Sequence, residues 1–345
     1  MSSHRAGELL LAETADSAGT TSERAQAMLE VLRRAIPFDA AWIALPNPFS
    51  SSYWSLASAD LDDRVVDFLG GPLTAHDIEL AGGDRDRPPV TRSDLPPAVQ
   101  ELQTWSDCLV PAGIHEALAV ALFAPGGRHV GFVALLSGNR ESPTPAVRHR
   151  LGRLAPVLAR GIDPMRSLVT AARLVRRATA GVVLHADGGC QPLPGLETDA
   201  LLVPSSPVLA VARERIGDGN LYSSFLWPVG GSHAPGGHVR VTVLAAPADL
   251  PPGLTAVALL SPATDLHRLT PRELEVLGLL VEGCSNQEIA RTLVVAPRTV
   301  AAHLEHVLGK LGAPTRTLAA VRAERDGLYV PAPPHRRAQV RGARS

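Results

Sequence analysis

The sequence predicts a multidomain protein in which two α+β units are followed by an all-α unit of four helices. Residues 21–262 alternate strand-like apolar runs with turn-forming segments, and amphipathic helices flank these runs. Residues 266–330 instead carry matched helix start and stop signals at short intervals. A chain of 345 residues, 45% of them hydrophobic, is long and apolar enough for two or three such cores.

The predicted boundaries divide the chain into five segments. Residues 1–20 carry no sustained periodic pattern, so a disordered start is expected. The other segments are a first α+β unit over 21–165, a second unit or linker over 166–262, a four-helix unit over 266–330 and a disordered basic tail over 331–345. The tail has four arginines and no acidic residue, and it is either an arm that reaches phosphates or an uninvolved frayed end.

The first unit is predicted from its order of elements. An amphipathic helix over Thr21–Ile36 precedes two apolar strands, FDAAWIAL and YWSLASA, and two further strands, EALAVALF and HVGFVALLS, flank a PGG turn. A helix from Pro145 to Arg160 ends the unit, whereas residues 60–113 are irregular and rich in turn signals. This order resembles a GAF domain, an antiparallel sheet with helices that often holds a small ligand.

The GAF resemblance implies a ligand pocket beneath the irregular segment. Aromatic residues are the candidate lining: Trp42, Trp54, Phe68, Trp105 and Phe123. Ordinary core packing explains the same five residues, so both interpretations stay open.

The second unit begins with an arginine-rich helix, MRSLVTAARLVRRA, which is either a dimer-forming linker or a solvated helix face. A strand and turn, GVVLHADGG, follow it. LYSSFLWPV and HVRVTVLAA then form a hairpin before a last strand, LTAVALLS. This order of elements resembles a reduced PAS-like domain, although little helix is predicted between the strands.

Helix signals are densest in the C-terminal unit. The TPRE and SNQE segments each supply an N-cap residue and a carboxylate three residues later, which together form a capping box. Pro297 opens a third helix that continues to the stop signal at Gly312, and a fourth helix is predicted over Thr315–Asp326. Two short helices joined by a tight turn, the second polar on its outer face, describe a helix-turn-helix whose second helix reads the DNA major groove.

A set of motif residues runs through this unit in fixed register: Leu269–Glu273, Val276, Leu277, Gly283, Ile289, Ala290, Leu293, Thr299, Val300, His303, Lys310–Gly312 and Arg316. In this register the segment resembles the C-terminal DNA-binding domain of the LuxR family of bacterial transcription regulators. The resemblance implies a DNA-binding face made of Arg298, Thr299, Val300, Ala301, Ala302, His303, Glu305, His306, Lys310 and Arg316.

Three positions depart from the family pattern. Ala296 precedes the proline where relatives place Ser or Thr, so the helix start lacks a side-chain cap worth about 1 kcal/mol. Ala301 and Glu305 stand where many relatives carry lysines.

Residues 266–330 hold eight basic and seven acidic residues, a net charge of +1, so one copy is expected to bind DNA weakly. A homodimer on an inverted repeat is therefore predicted.

Composition and motifs restrict the other possibilities. Cys108, Cys190 and Cys284 lie far apart without metal-binding spacing, and the chain has no P-loop, GxGxxG, HExxH or GxSxG motif, so no catalytic residue, metal or cofactor is predicted. The absence of a signal peptide and of a ~20-residue apolar run predicts a cytoplasmic protein without a membrane partner. A single lysine among 33 basic residues indicates a GC-rich, actinobacterial genome.

These observations predict a DNA-binding transcription regulator whose N-terminal units respond to a small-molecule effector or a partner protein. Double-stranded DNA and a second copy of the chain are the expected partners, and RNA polymerase is a further candidate. The alternative is a ligand-binding or protein-interaction module whose helix-turn-helix has lost DNA binding.

Overall fold

The computed structural model describes residues 2–47, 50–80, 88–95, 102–175, 177–217, 219–230, 237–247, 250 and 253–332. The chain divides into two compact units: Met1–Arg166 with Asp249–Pro251, and Ser167–Ala248 with Pro252–Ser345. Residues 231–236, which connect the two strands of the hairpin predicted from LYSSFLWPV and HVRVTVLAA, and the basic tail from residue 333 onward lie outside the described residues.

The first unit is built on a five-stranded antiparallel sheet with the order β2-β1-β5-β4-β3. Its strands are β1 (Ala40–Pro46), β2 (Tyr53–Ala59), β3 (Val90–Thr91), β4 (Glu116–Phe123) and β5 (His129–Ser137). Its helices are α1 (Ser2–Ala15), α2 (Thr21–Ala35), α3 (Asp63–Gly70), α4 (Pro72–Leu80) and α5 (Pro145–Ile162).

Both faces of this sheet are covered, because successive side chains of a strand point to opposite sides. Ile43 and Leu45 of β1 join the core formed with α1, α2 and α5. Trp42 and Ala44 join a second core with α3 and a π-helical turn over Thr104–Leu109. The second core is the one that surrounds the cavity described below.

Two parts of this unit differ from the sequence predictions. The expected disordered start is wrong, because residues 2–15 form α1, whose Leu11 and Ala15 are buried in the core. The stretch predicted as irregular contains α3 and α4. Burial of Val65 and Leu69 stabilises α3 against the sheet, although the helix is only eight residues long.

A second five-stranded antiparallel sheet follows, with the order β7-β6-β10-β9-β8. Its strands are β6 (Ala180–His185), β7 (Cys190–Pro192), β8 (Tyr222–Pro228), β9 (His238–Ala245) and β10 (Leu254–Pro262). Helix α6 (Met165–Leu174) precedes it, and α7 (Pro207–Gly217), which the sequence did not predict, lies between β7 and β8 in the chain. Each strand number exceeds its counterpart in the first sheet by five, so the two sheets share one strand order.

Four helices follow the second sheet: α8 (Pro271–Val281), α9 (Asn286–Leu293), α10 (Pro297–Leu311) and α11 (Arg316–Asp326). They belong to the same compact unit as that sheet, and one apolar core contains both Phe225 of β8 and Leu274 of α8. The predicted fold class, two sheet units followed by an all-α helix-turn-helix unit, is confirmed. No helix in the described part of the chain is long and apolar enough to cross a membrane.

Candidate DNA-binding surface and candidate ligand cavity

Capping boxes fix the starts of the first two helices of the C-terminal unit, as predicted. The carboxylate of Glu273 accepts a hydrogen bond from the Thr270 amide at 2.7 Å, and the Thr270 hydroxyl accepts one from the Glu273 amide. Ser285 and Glu288 repeat this exchange at the start of α9. Helix α10 begins after Ala296 without a side-chain cap, which is the departure expected from the sequence.

The turn between α9 and α10 contains a residue in the left-handed region. Val294 has a φ of 56°, and its side chain is 89% exposed. A β-branched residue is disfavoured there, at a cost of roughly 1–2 kcal/mol, because its Cβ crowds the following carbonyl. Burial of Ile289 on α9 and of Val300 and Leu304 on α10 offsets that strain and holds the two helices at the turn.

Helix α10 presents one exposed face, which carries Arg298, Ala301, Ala302, Glu305 and His306. Thr299 and His303 lie half-buried at its margins. The prediction for Val300 is wrong, because its side chain is fully buried with Leu304 and Val307 on the opposite side of the helix. A residue on that side packs against α8 and α9 and cannot reach a base.

Lys310, which was expected on the DNA-binding face, has its ammonium group paired with a buried carboxylate of the protein. Its Nζ lies 2.9 and 2.7 Å from the two carboxylate oxygens of Glu273, whose side chain is 3% exposed. Burial by itself raises the pKa of Glu273, but hydrogen bonds from Lys310 and Thr270 outweigh it, so the net pKa is lowered. The carboxylate therefore stays ionised, and Lys310 connects α10 to the start of α8.

Most of the other positive charges of this unit are also engaged. Arg316, which was also predicted to contact DNA, donates a hydrogen bond to the carbonyl oxygen of Cys284 at 2.7 Å. Its guanidinium is therefore already engaged within the protein. The remaining engaged arginines are Arg272, Arg291, Arg322 and Arg325. Among the described residues, Arg268 and Arg298 are the two basic residues of 266–330 for which no hydrogen bond or ion pair is seen. Arg298 is the one that lies on the exposed face of α10.

A cavity of about 130 Å³ lies in the first unit, beside β1, β4 and β5. Four residues of β4 line it, and three of them are alanines at every second position: Ala117, Ala119 and Ala121, together with Val120. Small side chains at this spacing remove volume from one face of the strand. Trp42, Trp105 and Phe132 supply aromatic walls around the gap.

The polar groups around the cavity are bonded to the protein. The Thr74 hydroxyl donates to the Phe68 carbonyl oxygen and is contacted by the Thr104 hydroxyl. Asp77 accepts from the Thr104 amide at 3.0 Å. The guanidinium of Arg92 lies 4.4 Å from the ring centre of Trp105 and donates to the His115 carbonyl oxygen. These bonds leave a largely apolar interior.

The five aromatic candidates from the sequence therefore divide into two groups. Trp42 and Trp105 line the cavity. The prediction is wrong for Trp54, Phe68 and Phe123, which are not among the described residues that line the cavity. Phe68 packs against the neighbouring core, and Phe123 lies 5.2 Å from the His129 ring. The signal that locates the cavity is the alanine row on β4, not the aromatic residues alone.

Comparison with known proteins bears on the C-terminal unit. The profile of the family described as bacterial regulatory proteins, luxR family, matches residues 267–323. An HTH-type transcriptional regulator of Mycobacterium tuberculosis is 48% identical over 66 residues, which cover 19% of this chain and 8% of that protein. The transcriptional regulatory protein LiaR of Bacillus subtilis is 47% identical over 60 residues, which cover 17% and 28%. The chain thus spans under a third of the length of these relatives.

The nitrate/nitrite response regulator protein NarL of Escherichia coli is 37% identical over 65 residues, covering 19% of this chain and 30% of NarL. Among solved structures, a GAF domain of a Coxiella burnetii phosphoenolpyruvate-protein phosphotransferase aligns at 16% identity over 48% of this chain and 96% of its own, with a TM-score of 0.36. A structure of SdiA in complex with octanoyl-rac-glycerol aligns at 13% identity over 92% of both chains, with a TM-score of 0.33.

Proposed function

We propose that this chain, whose residues 267–323 form a LuxR-family helix-turn-helix domain, is a transcription regulator that reads the DNA major groove with α10. The observation that carries the proposal is the exposed face of α10, which follows two capped helices in helix-turn-helix order. Arg298 supplies the free cation for a phosphate at the start of that face, and His306 and Glu305 are its other exposed polar groups.

Dimerisation is the second part of the proposal. One copy offers a domain with eight basic and seven acidic residues over 266–330, and most of its cations are bound within the protein. Few phosphates can then be neutralised by one copy, and non-specific affinity depends on that number. Two copies on an inverted repeat double the contacts and fix the half-site spacing.

Replacing Arg298 with alanine tests DNA binding. The slope of log Kd against log salt concentration should fall by about one unit for each bound copy, because one phosphate contact per copy is lost. Arg64, which is exposed on α3, provides the matched control, since Arg64→Ala removes the same charge outside the helix-turn-helix. The assay is fluorescence anisotropy on a site recovered by genome-wide DNA capture.

A second candidate function has a specific observation in its favour. The α10 face carries Ala301, Ala302 and the acidic Glu305, a composition that suits a protein partner as well as a phosphate backbone. If no site is enriched, or if Arg298→Ala and wild type have equal salt slopes, a protein-interaction module is the better description.

The first unit is proposed to sense a small neutral ligand in the apolar cavity. A cavity of about 130 Å³ is close in size to engineered apolar cavities of roughly 150 Å³ that bind benzene. Because Asp77 and Arg92 already bond to Thr104 and His115, a charged ligand would gain little there to offset its lost hydration. A ligand that binds one arrangement of the chain more tightly than another would change DNA affinity.

Filling the cavity should abolish ligand binding. In saturating benzene, the melting temperature of wild type should rise, since a ligand of the folded state stabilises it. Ala134→Leu, which projects into the cavity, should remove that rise, whereas Ala146→Leu on the exposed side of α5 should keep it. Equal shifts in all three proteins would contradict the cavity as the site. Equal DNA affinity of the full chain and residues 260–345, with and without ligand, would contradict coupling.

A further inference from the structure

Residues 327–332 follow α11 and pack between the four helices and the second sheet; we call them the clamp segment. Leu328, Tyr329 and Ala332 of this segment are buried, and Tyr329 is 1% exposed. Segments without helix or strand structure normally run over the surface, because their backbone groups need water as a partner. The partners of the clamp segment are instead found in the protein.

Backbone hydrogen bonds tie the clamp segment to both sides. The amide of Leu226 in β8 donates to the carbonyl oxygen of Tyr329 at 2.8 Å, and the amide of Val330 donates to the carbonyl oxygen of Leu274 in α8 at 3.1 Å. Strand β8 is the edge of its sheet, so its outer amide is available for such a bond. Two successive residues therefore bridge the sheet and the first helix of the DNA-binding domain.

A glycine in α8 permits this close approach. A Cβ atom on Gly278 would overlap the carbonyl oxygen of Val330. Glycine inside a helix is less favourable than alanine by about 1 kcal/mol. At Gly278 that cost is offset by contact with the clamp segment, whereas Gly309 in α10 has no atom within 4 Å of the same position.

Side chains from the second sheet unit reinforce the bridge. Arg240 of β9 donates to the carbonyl oxygens of Asp326 and Gly327 at 2.7 and 3.2 Å, which caps the end of α11 where the helix dipole favours a cation. Arg215 of α7 lies 3.7 Å from Glu282 at the end of α8, and its guanidinium lies 5.6 Å from the ring centre of Tyr329.

We propose that the clamp segment locks the DNA-binding helices to the second sheet, so that α10 moves only together with that sheet. Residues 263–270 then act as a covalent connection between β10 and α8, not as a hinge. A signal that alters DNA binding would have to move the second unit as one body. This regulatory consequence rests on the proposed DNA-binding function, whereas the lock does not.

Cleavage of the chain between the second sheet and the helices tests, in the absence of DNA, whether the clamp segment holds the two together. A protease site inserted between the exposed residues Thr264 and Asp265 allows the full-length protein to be cleaved there. The fragments should stay together in gel filtration, because the clamp segment holds them. Gly278→Ala should release them, although alanine normally favours a helix, and Gly309→Ala should leave them together.

Separation of the wild-type fragments, or co-elution after Gly278→Ala, would overturn the lock. Circular dichroism of the uncut Gly278→Ala protein establishes whether its helices form. If they do not, Arg240→Ala takes its place, since it leaves α8 unchanged, and it should raise the dissociation constant of the fragments by about tenfold. An unchanged constant would contradict the proposal. Because no DNA is present, loss of the DNA-binding function would leave these outcomes unaffected.

Discussion

Replacing Lys310 with alanine should lower the free energy of unfolding of the second unit by about 2–3 kcal/mol. The substitution leaves the carboxylate of Glu273, which is 3% exposed, without its cation. Losing one partner of a fully buried pair costs about 3–5 kcal/mol, and the smaller value is expected because the Lys310 side chain remains 30% exposed. Urea denaturation followed by circular dichroism measures the difference.

Matched variants separate the ion pair from other effects. Arg298→Ala, on the exposed face of the same helix, should change stability by less than about 0.5 kcal/mol. The double variant Glu273→Gln with Lys310→Met should recover most of the loss, since glutamine can still accept from the Thr270 amide and no charge is buried. A double variant as unstable as Lys310→Ala would contradict the role of the ion pair.

The ion pair between Glu273 and Lys310 makes the free energy of unfolding depend on pH. The pKa of Glu273 is lowered by its net interactions in the folded protein, so its contribution is present above the ordinary value of 4.5 and is lost as pH falls through the folded pKa. In Lys310→Ala the carboxylate lacks its cation and takes up a proton at higher pH. The difference between the two proteins should therefore shrink in acid.

Lys310 also illustrates what local patterns cannot reveal. A lysine near the end of an amphipathic helix, in register with a DNA-binding family, predicts a phosphate contact. Its partner Glu273 is 37 residues away in the chain and was already assigned to the capping box of α8. Only the packing of α10 across α8 brings the two charges together.

The parts predicted well are those governed by neighbours in sequence. Helix α9 (Asn286–Leu293) begins where the SNQE segment predicted a helix start, because Ser285 and Glu288 form its capping box. The hairpin strands β4 and β5 follow from two short apolar runs that flank a glycine-rich turn. In each case the signal and the structure lie within a few residues of each other.

The elements that were missed depend on distant contacts. Helix α1 has exposed Leu9 and Leu10 beside the buried Leu11, so its sequence shows no clear apolar stripe. Helix α7 likewise lacks a clear amphipathic pattern, because four of five successive residues are buried with the second sheet: Val208, Leu209, Val211 and Ala212. The cavity was sought among aromatic residues, although the row of alanines on β4 creates the space.

The second large effect is expected at Tyr329, where substitution by alanine should lower the free energy of unfolding by about 3–5 kcal/mol. The ring is buried between the second sheet and the helices, so its removal leaves a cavity in a shared core. Tyr222→Ala is the matched control, because that tyrosine is 55% exposed on β8 and should cost less than about 1 kcal/mol.

The location of the destabilisation in Tyr329→Ala shows whether Tyr329 belongs to a core shared by the sheet and the helices or to a core of the helices alone. Hydrogen–deuterium exchange should rise at Leu226 in β8, whose amide donates to the Tyr329 carbonyl oxygen, and in α8, whose buried side chains share a core with the Tyr329 ring. If Tyr329 packed against the helices alone, the amides of α8 would exchange faster while those of β8 kept their protection. That outcome would mean that the helices can loosen without the sheet, and DNA binding could then be regulated at residues 263–270 after all.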